Sequence, residues 1–287
     1  MPRERRAVYA GYRTRELYVQ GAGPTLVLVH GFGTPAPCWQ PVLARCEQAG
    51  QPAVAVDLPG FGAADPLAAG PRLPQLVRFL ADVVARHGAA TPVVLVGNSL
   101  GAATCVRLLD TVPGLPVGGL LALGTATDQW TPLVRAALIG RGRPLAALAA
   151  LPLPLPRAVR DRVAVRLVGR VLYGRSPADP ALVGLLLAEL GSIERRELVS
   201  IGIGYVSDVA AVAAVRTIGC PTIVVHGTRD RLVAGQGSRN LAAAVPGSRL
   251  VVLEGVGHCP HLDATDEVVA LARELARAIS ATGTETA

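Results

Sequence analysis

The chain contains no lysine; all 28 basic residues are arginine. That uniformity reads as coding bias, so arginine as such says little about phosphate or nucleic-acid contact. The formal charge of +7 is modest for 287 residues. No basic strip is interleaved with aromatics, so no nucleic-acid partner is expected. Aromatics are scarce at 3%, which leaves the core to Ala, Val and Leu. Charged residues are only 17% against 51% hydrophobic, a globular balance rather than a disordered one. Cysteines Cys38, Cys46, Cys105, Cys220 and Cys259 are odd in number, scattered, and lack C-x-x-C spacing. They predict neither a disulfide framework nor a zinc site, and no metal or organic cofactor is expected. No apolar run is long enough to span a membrane; the longest candidate, Pro144 to Pro156, is interrupted by Pro152 and Pro154. No apolar stretch follows the charged Met1–Arg6 segment, so no secretory signal is expected. Together these absences predict a soluble, cytoplasmic protein.

Short β-branched runs alternate with helical periodicity. Strands are predicted at Ala7 to Ala10 and Arg15 to Gln20 as a hairpin at the sheet edge. Further strands are predicted at Thr25 to Val29, Ala53 to Asp57, Pro92 to Val96, Gly119 to Leu123, Pro221 to His226 and Arg249 to Leu253. Helices are expected at about 38–46, 73–86, 102–109 and 265–279. Between residues 128 and 215 no buried strand is legible, and the segment reads as helices broken at prolines. The expected fold class is α/β: a mostly parallel eight-stranded sheet with helices on both faces and a helical cap between strands 6 and 7. The expected division is a core of residues 1–127 and 216–287 and a cap of residues 128–215, lying over the carboxyl ends of the strands.

One stretch carries the chemistry. Val93–Val96 runs into Gly97-Asn98-Ser99-Leu100-Gly101, a G-x-S-x-G pattern, and then into a helix. With 32 glycines and 8 serines, chance supplies such a match roughly 0.1 times in a chain this long. A strand that turns into a helix through this pattern is a nucleophile elbow, which raises the serine hydroxyl above the sheet edge. Serine needs a base, and the base needs an orienter. Two later strand ends supply them: Gly227-Thr228-Arg229-Asp230 and Gly255-Val256-Gly257-His258. Ser99 is therefore the expected nucleophile, His258 the base and Asp230 the orienter, with Asp128 as the competing acid. The backbone N–H groups of Leu100 and Phe32 are the expected oxyanion hole. Of the other histidines, His30 reads as a loop brace, His226 as a strand-end residue, His87 as a helix-end cation, and His261 as a supporting or surface group. Cys259 reads as small loop filler.

With these residues in place the chain resembles the α/β-hydrolase superfamily, in its group of capped, cofactor-free serine hydrolases. His30-Gly31-Phe32-Gly33, Asp57-Leu58-Pro59-Gly60-Phe61-Gly62, Gly97-Asn98-Ser99-Leu100-Gly101, Asp230 and His258 match that group's pattern in order. The match covers about residues 7–279 apart from the cap. Ala64 stands where the group often has serine. Serine rather than aspartate at position 99 argues against epoxide hydrolases and haloalkane dehalogenases. The resemblance implies a serine esterase that cleaves carboxylic ester or related acyl bonds through an acyl-enzyme. Asn98 before the serine is also similar to carbon–carbon bond hydrolases of the meta-cleavage-product type, although the His30 loop lacks their longer glycine-rich form. Acyltransferase or thioesterase chemistry is a further alternative, and a low-turnover binding protein is less favoured.

The cap is expected to set specificity. Pro132 to Pro156 is strongly apolar, and nine arginines against one acid, Asp161, lie between Arg135 and Arg175. The functional expectation is a greasy acyl pocket with a basic rim, taking a small hydrophobic or anionic acyl substrate.

Overall fold

The computed structural model describes residues 2–125, 129–132, 134, 157–175, 177–192, 205 and 218–284. Asp128 and most of the apolar stretch from Pro132 to Pro156 lie outside the described residues. Strands β1 (Arg3–Tyr9) and β2 (Tyr12–Val19) form the expected hairpin, longer than the sequence suggests. Their turn is only Ala10-Gly11, both at positive φ (48° and 84°). That mirror-image turn matches the strand twist and closes a hairpin in two residues.

Strands β3 (Leu26–Val29), β4 (Ala53–Val56), β5 (Val93–Asn98), β6 (Val117–Leu123), β7 (Thr222–Gly227) and β8 (Arg249–Leu253) complete the sheet. The order is β1-β2-β4-β3-β5-β6-β7-β8. Only β2 runs antiparallel to its neighbours, β1 and β4; β3 to β8 are parallel. The described helices are α1 (Gln40–Gln48), α2 (Arg72–His87), α3 (Leu100–Thr111), α4 (Arg157–Leu172), α5 (Pro180–Ser192), α6 (Gly235–Ala244), α7 (Pro260–Asp263) and α8 (Thr265–Thr284).

Side-chain alternation along the central strands divides the core into two layers. Val27, Val29, Leu95 and Ala122 face α2, α3 and Leu241 of α6. Leu26, Leu28, Val94, Val96 and Leu121 face α1 and α8. The chain leaves β3 toward β4 on one side and builds β5 to β8 on the other. That reversal opens a crevice beyond the carboxyl ends of β3 and β5, where such sheets bind ligands. Helices α4 and α5 come from the insertion between β6 and β7.

One buried cluster was hidden from the sequence. Glu16 of β2 is fully buried and accepts hydrogen bonds from Arg5 Nε (2.5 Å), Tyr9 Oη (2.5 Å) and His87 Nε2 (2.8 Å). His87, the last residue of α2, is half-buried and ties that helix to the hairpin. Burial works to raise the Glu16 carboxyl, but the bonds from His87, Tyr9 and Arg5 outweigh it and hold it at about 2. A depressed carboxyl stabilises the fold above its unfolded pKa near 4.5, and that share is lost as pH falls from there toward 2. The shift corresponds to about 3 kcal/mol. Urea melts should therefore show Glu16→Gln well below wild type at pH 7, with the gap narrowing toward pH 2. A gap independent of pH would disprove the assignment.

Candidate active site

Ser99 sits between β5 and α3 at φ 53° and ψ −114°, one of two described non-glycine residues with positive φ. Such a conformation costs about 1–3 kcal/mol and persists only where its surroundings enforce it. Here the enforcement is close backbone packing. A Cβ on Gly97 would lie 2.6 Å from Ala102 N, and one on Gly101 would lie 2.2 Å from Val29 O. Ser99 N–H donates to Leu123 O at 2.9 Å, which ties the elbow to the end of β6. Leu100 opens α3, so its N–H has no acceptor within the helix.

His258 Nδ1 lies 2.8 Å from Asp230 Oδ2, with both side chains nearly inaccessible. The other oxygen, Oδ1, accepts the N–H groups of Leu232 (2.8 Å) and Val233 (2.9 Å). Burial works to raise the Asp230 carboxyl, but His258 and those two N–H groups outweigh it and leave it below the ordinary range. Both residues follow parallel strands, β7 and β8, and reach the same sheet edge as Ser99. Ser99 and His258 line one cavity. Among the described residues no hydrogen bond joins Ser99 Oγ to His258. In substrate-free sites this contact is often loose and tightens when substrate fills the site.

The loop after β3 is held rigidly. His30 is fully buried; its Nδ1 lies 2.7 Å from Gly31 O, and its Nε2 lies 2.8 Å from Leu58 N. Leu58 N–H can only donate, so Nε2 is the acceptor and Nδ1 carries the proton. Burial pushes the His30 pKa down, against the raising effects of Asp57 and Gly31 O, and keeps the ring neutral. Asp57 braces the same loop by accepting Ala36 N–H (2.7 Å), Ala63 N–H (2.9 Å) and Arg15 Nε (2.9 Å). Phe32 lines the cavity, and its ring meets Phe61 and Tyr205 edge to face.

The cavity over Ser99 measures about 240 Å³. Its walls are apolar: Phe32, Trp130, Leu172, Leu186, Tyr205 and Leu232. Among the described residues no arginine lines this cavity, and Arg135, Arg141 and Arg143 of the expected basic rim lie outside them. Arg162, Arg166, Arg170 and Arg231 instead line a separate open cleft of about 780 Å³. The cause is geometric. Four-residue spacing places the three α4 arginines on one helix face, and Leu172 near the helix end points to another.

His261 is not at the surface. It is fully buried against Trp39, with ring centroids 4.2 Å apart. Burial, reinforced by His258 and His30, pushes its pKa down to about 3, so it packs as a neutral ring. His226 meets Ser238 Oγ at 3.3 Å beneath the site. Burial pushes the Cys259 thiol up, and Asp230 and Asp263 add to that, which makes it an inert filler.

Two roles escaped sequence reasoning. The Asn98 amide donates to Leu123 O (3.2 Å) and His258 O (3.1 Å), which pins the His258 loop beside the elbow. Asp263 accepts Gly257 N–H at 2.8 Å. Neither role has a local signal, since both depend on carbonyl and amide groups that only folding brings near.

The alpha/beta hydrolase family profile matches residues 26–271. A pimeloyl-[acyl-carrier protein] methyl ester esterase of Xanthomonas campestris is 31% identical over 264 residues, covering 87% of this chain and 94% of that one. An esterase from Rhodococcus sp. ECU1013 superposes with a TM-score of 0.71 at 22% identity, covering 96% and 99% of the two chains. A 2-hydroxy-6-oxo-6-phenylhexa-2,4-dienoate hydrolase from Rhodococcus sp. strain RHA1 superposes with a TM-score of 0.72 at 20% identity, covering 96% and 99%. Among the described residues no helix is long and apolar enough to cross a membrane. The eight-stranded sheet with its serine at the β5 elbow and the profile match along most of the chain agree: this protein belongs to the alpha/beta hydrolase family and is a hydrolase of esterase-like type.

Proposed function

We propose that the protein hydrolyses carboxylic esters of a small hydrophobic acyl group through Ser99, His258 and Asp230. His258 takes the Ser99 proton as Oγ attacks the ester carbonyl. The oxyanion is held by the N–H groups of Leu100 and Phe32. His258 then protonates the departing alcohol, and water, activated by the same ring, releases the acid. The insertion at residues 128–215 acts as the lid over the acyl group. The protein works in the cytoplasm, in keeping with its unpaired thiols. The observation that carries this reading is the cavity shared by Ser99 and His258, walled by apolar side chains among the described residues.

At roughly 30 Å³ per water-sized group, a cavity of about 240 Å³ takes an acyl chain of about six to eight carbons. Each methylene buried is worth about 0.8 kcal/mol. Across p-nitrophenyl esters, kcat/KM should therefore rise by up to about 200-fold over the four methylenes from acetyl to hexanoyl, and acyl groups ending in a carboxylate should be poor. Flat or falling rates along that series would remove the apolar acyl site. Mass spectrometry of the products separates hydrolysis from acyl transfer. Carbon–carbon cleavage is the less favoured reading because the His30 loop lacks the longer glycine-rich form of those hydrolases.

A further inference from the structure

We propose that Asp263 is a positioning residue for His258, and that it acts by making the turn after α4 part of the loop that carries the base. This inference rests on the assignment of Ser99 and His258 given above. Asp263 is only 4% exposed, yet it lies five residues beyond His258 on a different element, α7. Its carboxylate accepts N–H groups from two separate segments. Gly257, just before His258, donates at 2.8 Å. From the turn after α4, Gly174 donates at 2.7 Å and Arg175 at 2.9 Å. A carboxylate accepting several N–H groups binds each more strongly than a neutral acceptor would, and a buried one left unmatched is costly.

The surrounding contacts give that bond set a direction. Cys259 N–H, just after the base, donates to Leu172 O at 3.1 Å. Arg229 Nη1, one residue before Asp230, donates to Gly174 O at 2.9 Å. The backbones touch so closely that a Cβ on Gly174 would lie 2.3 Å from Gly255 O, and one on Gly257 would lie 2.6 Å from Leu172 O. Leu172 also lines the acyl cavity. The turn 172–175 thus meets the base loop, the acid loop and the acyl chain at once, with Asp263 at its centre. Seating of the acyl chain against Leu172 and the placement of the imidazole are one mechanical unit.

The test measures the rate at which a fluorophosphonate probe labels Ser99 in the full-length protein, by intact mass, beside thermal melts and the ester chain-length series. Asp263→Ala removes every acceptor. It should label at least tenfold more slowly, lower kcat more than it raises KM, and flatten the chain-length preference. Asp263→Asn can keep one oxygen toward the N–H groups and should recover part of the rate. Arg229→Gln, at an exposed site, should slow labelling two- to fivefold with little change in melting temperature. Glu267→Gln, which removes only the exposed partner of Arg175, should leave labelling and chain-length preference unchanged. A folded Asp263→Ala that labels at the wild-type rate with the wild-type chain-length profile overturns the proposal. If that variant does not fold, wild-type rates in both Asp263→Asn and Arg229→Gln overturn it instead. A wild-type protein that takes up no probe overturns the catalytic assignment and this inference together.

Discussion

Ser99→Ala should lower kcat for ester hydrolysis by about 10⁴- to 10⁶-fold, since the nucleophile and its base act as a unit. It should leave the melting temperature nearly unchanged. The strained elbow is imposed by backbone contacts at Gly97 and Gly101, not by the hydroxyl. Among the described residues no side chain is hydrogen-bonded to Ser99 Oγ, so none is stranded by its loss. What survives is the weak catalysis of the oxyanion donors and the cavity. The measurement is steady-state hydrolysis of a hexanoyl ester beside a thermal melt, with intact mass after fluorophosphonate treatment. A variant that keeps more than a few per cent of activity, or still gains the probe mass, would place the nucleophile elsewhere.

Asp230→Asn should cost about 10⁴-fold in kcat, the size expected when the imidazole is held in the wrong tautomer. The geometry makes the direction definite. Oδ1 accepts two backbone N–H groups, from Leu232 and Val233, so an asparagine must keep its oxygen there. Its NH2 then points at His258 Nδ1, where Oδ2 stood at 2.8 Å. Facing a donor, Nδ1 must accept, which moves the ring proton to Nε2. The nitrogen intended for Ser99 then carries a proton and cannot remove another. The fold should survive, because both backbone bonds are retained. The Asp230 carboxyl is held low in the folded protein, so it stabilises the fold above its unfolded pKa; that share is lost as pH falls through its folded value. A loss of activity smaller than tenfold would mean that Asp230 does not set the tautomer.

Much of this architecture was legible in the residues because it is local. Four-residue apolar runs such as Leu26–Val29 and Ala53–Val56 read as strands buried on both faces, and they are. The elbow was legible for the same reason: two glycines at fixed offsets are required by atoms within a few residues. That Asp230 and His258 share one sheet edge was legible from strand ends, since parallel strands bring successive loops to one edge. What was missed has a common cause. His87 reads as a helix-end cation and does end α2, but its bond to Glu16 of β2 has no local signal; His261 reads as a supporting or surface group, and its burial against Trp39 excludes the surface. Charge counted along α4 did not say which helix face meets the cavity: Arg162, Arg166 and Arg170 line a separate cleft.

The alternation of strands and helices, the mostly parallel sheet and the tight elbow at Ser99 follow from the chain itself, because short-range sterics and the handedness of crossovers leave few alternatives. Tertiary structure alone decided that apolar side chains wall the cavity over Ser99, that Glu16 is buried with three donors, and that Asp263 joins the turn after α4 to the loop of His258. Those outcomes depend on hydrogen bonds and packing between segments as much as 89 residues apart. No pattern in the neighbouring residues encodes such distances; only the folded chain brings the groups within reach.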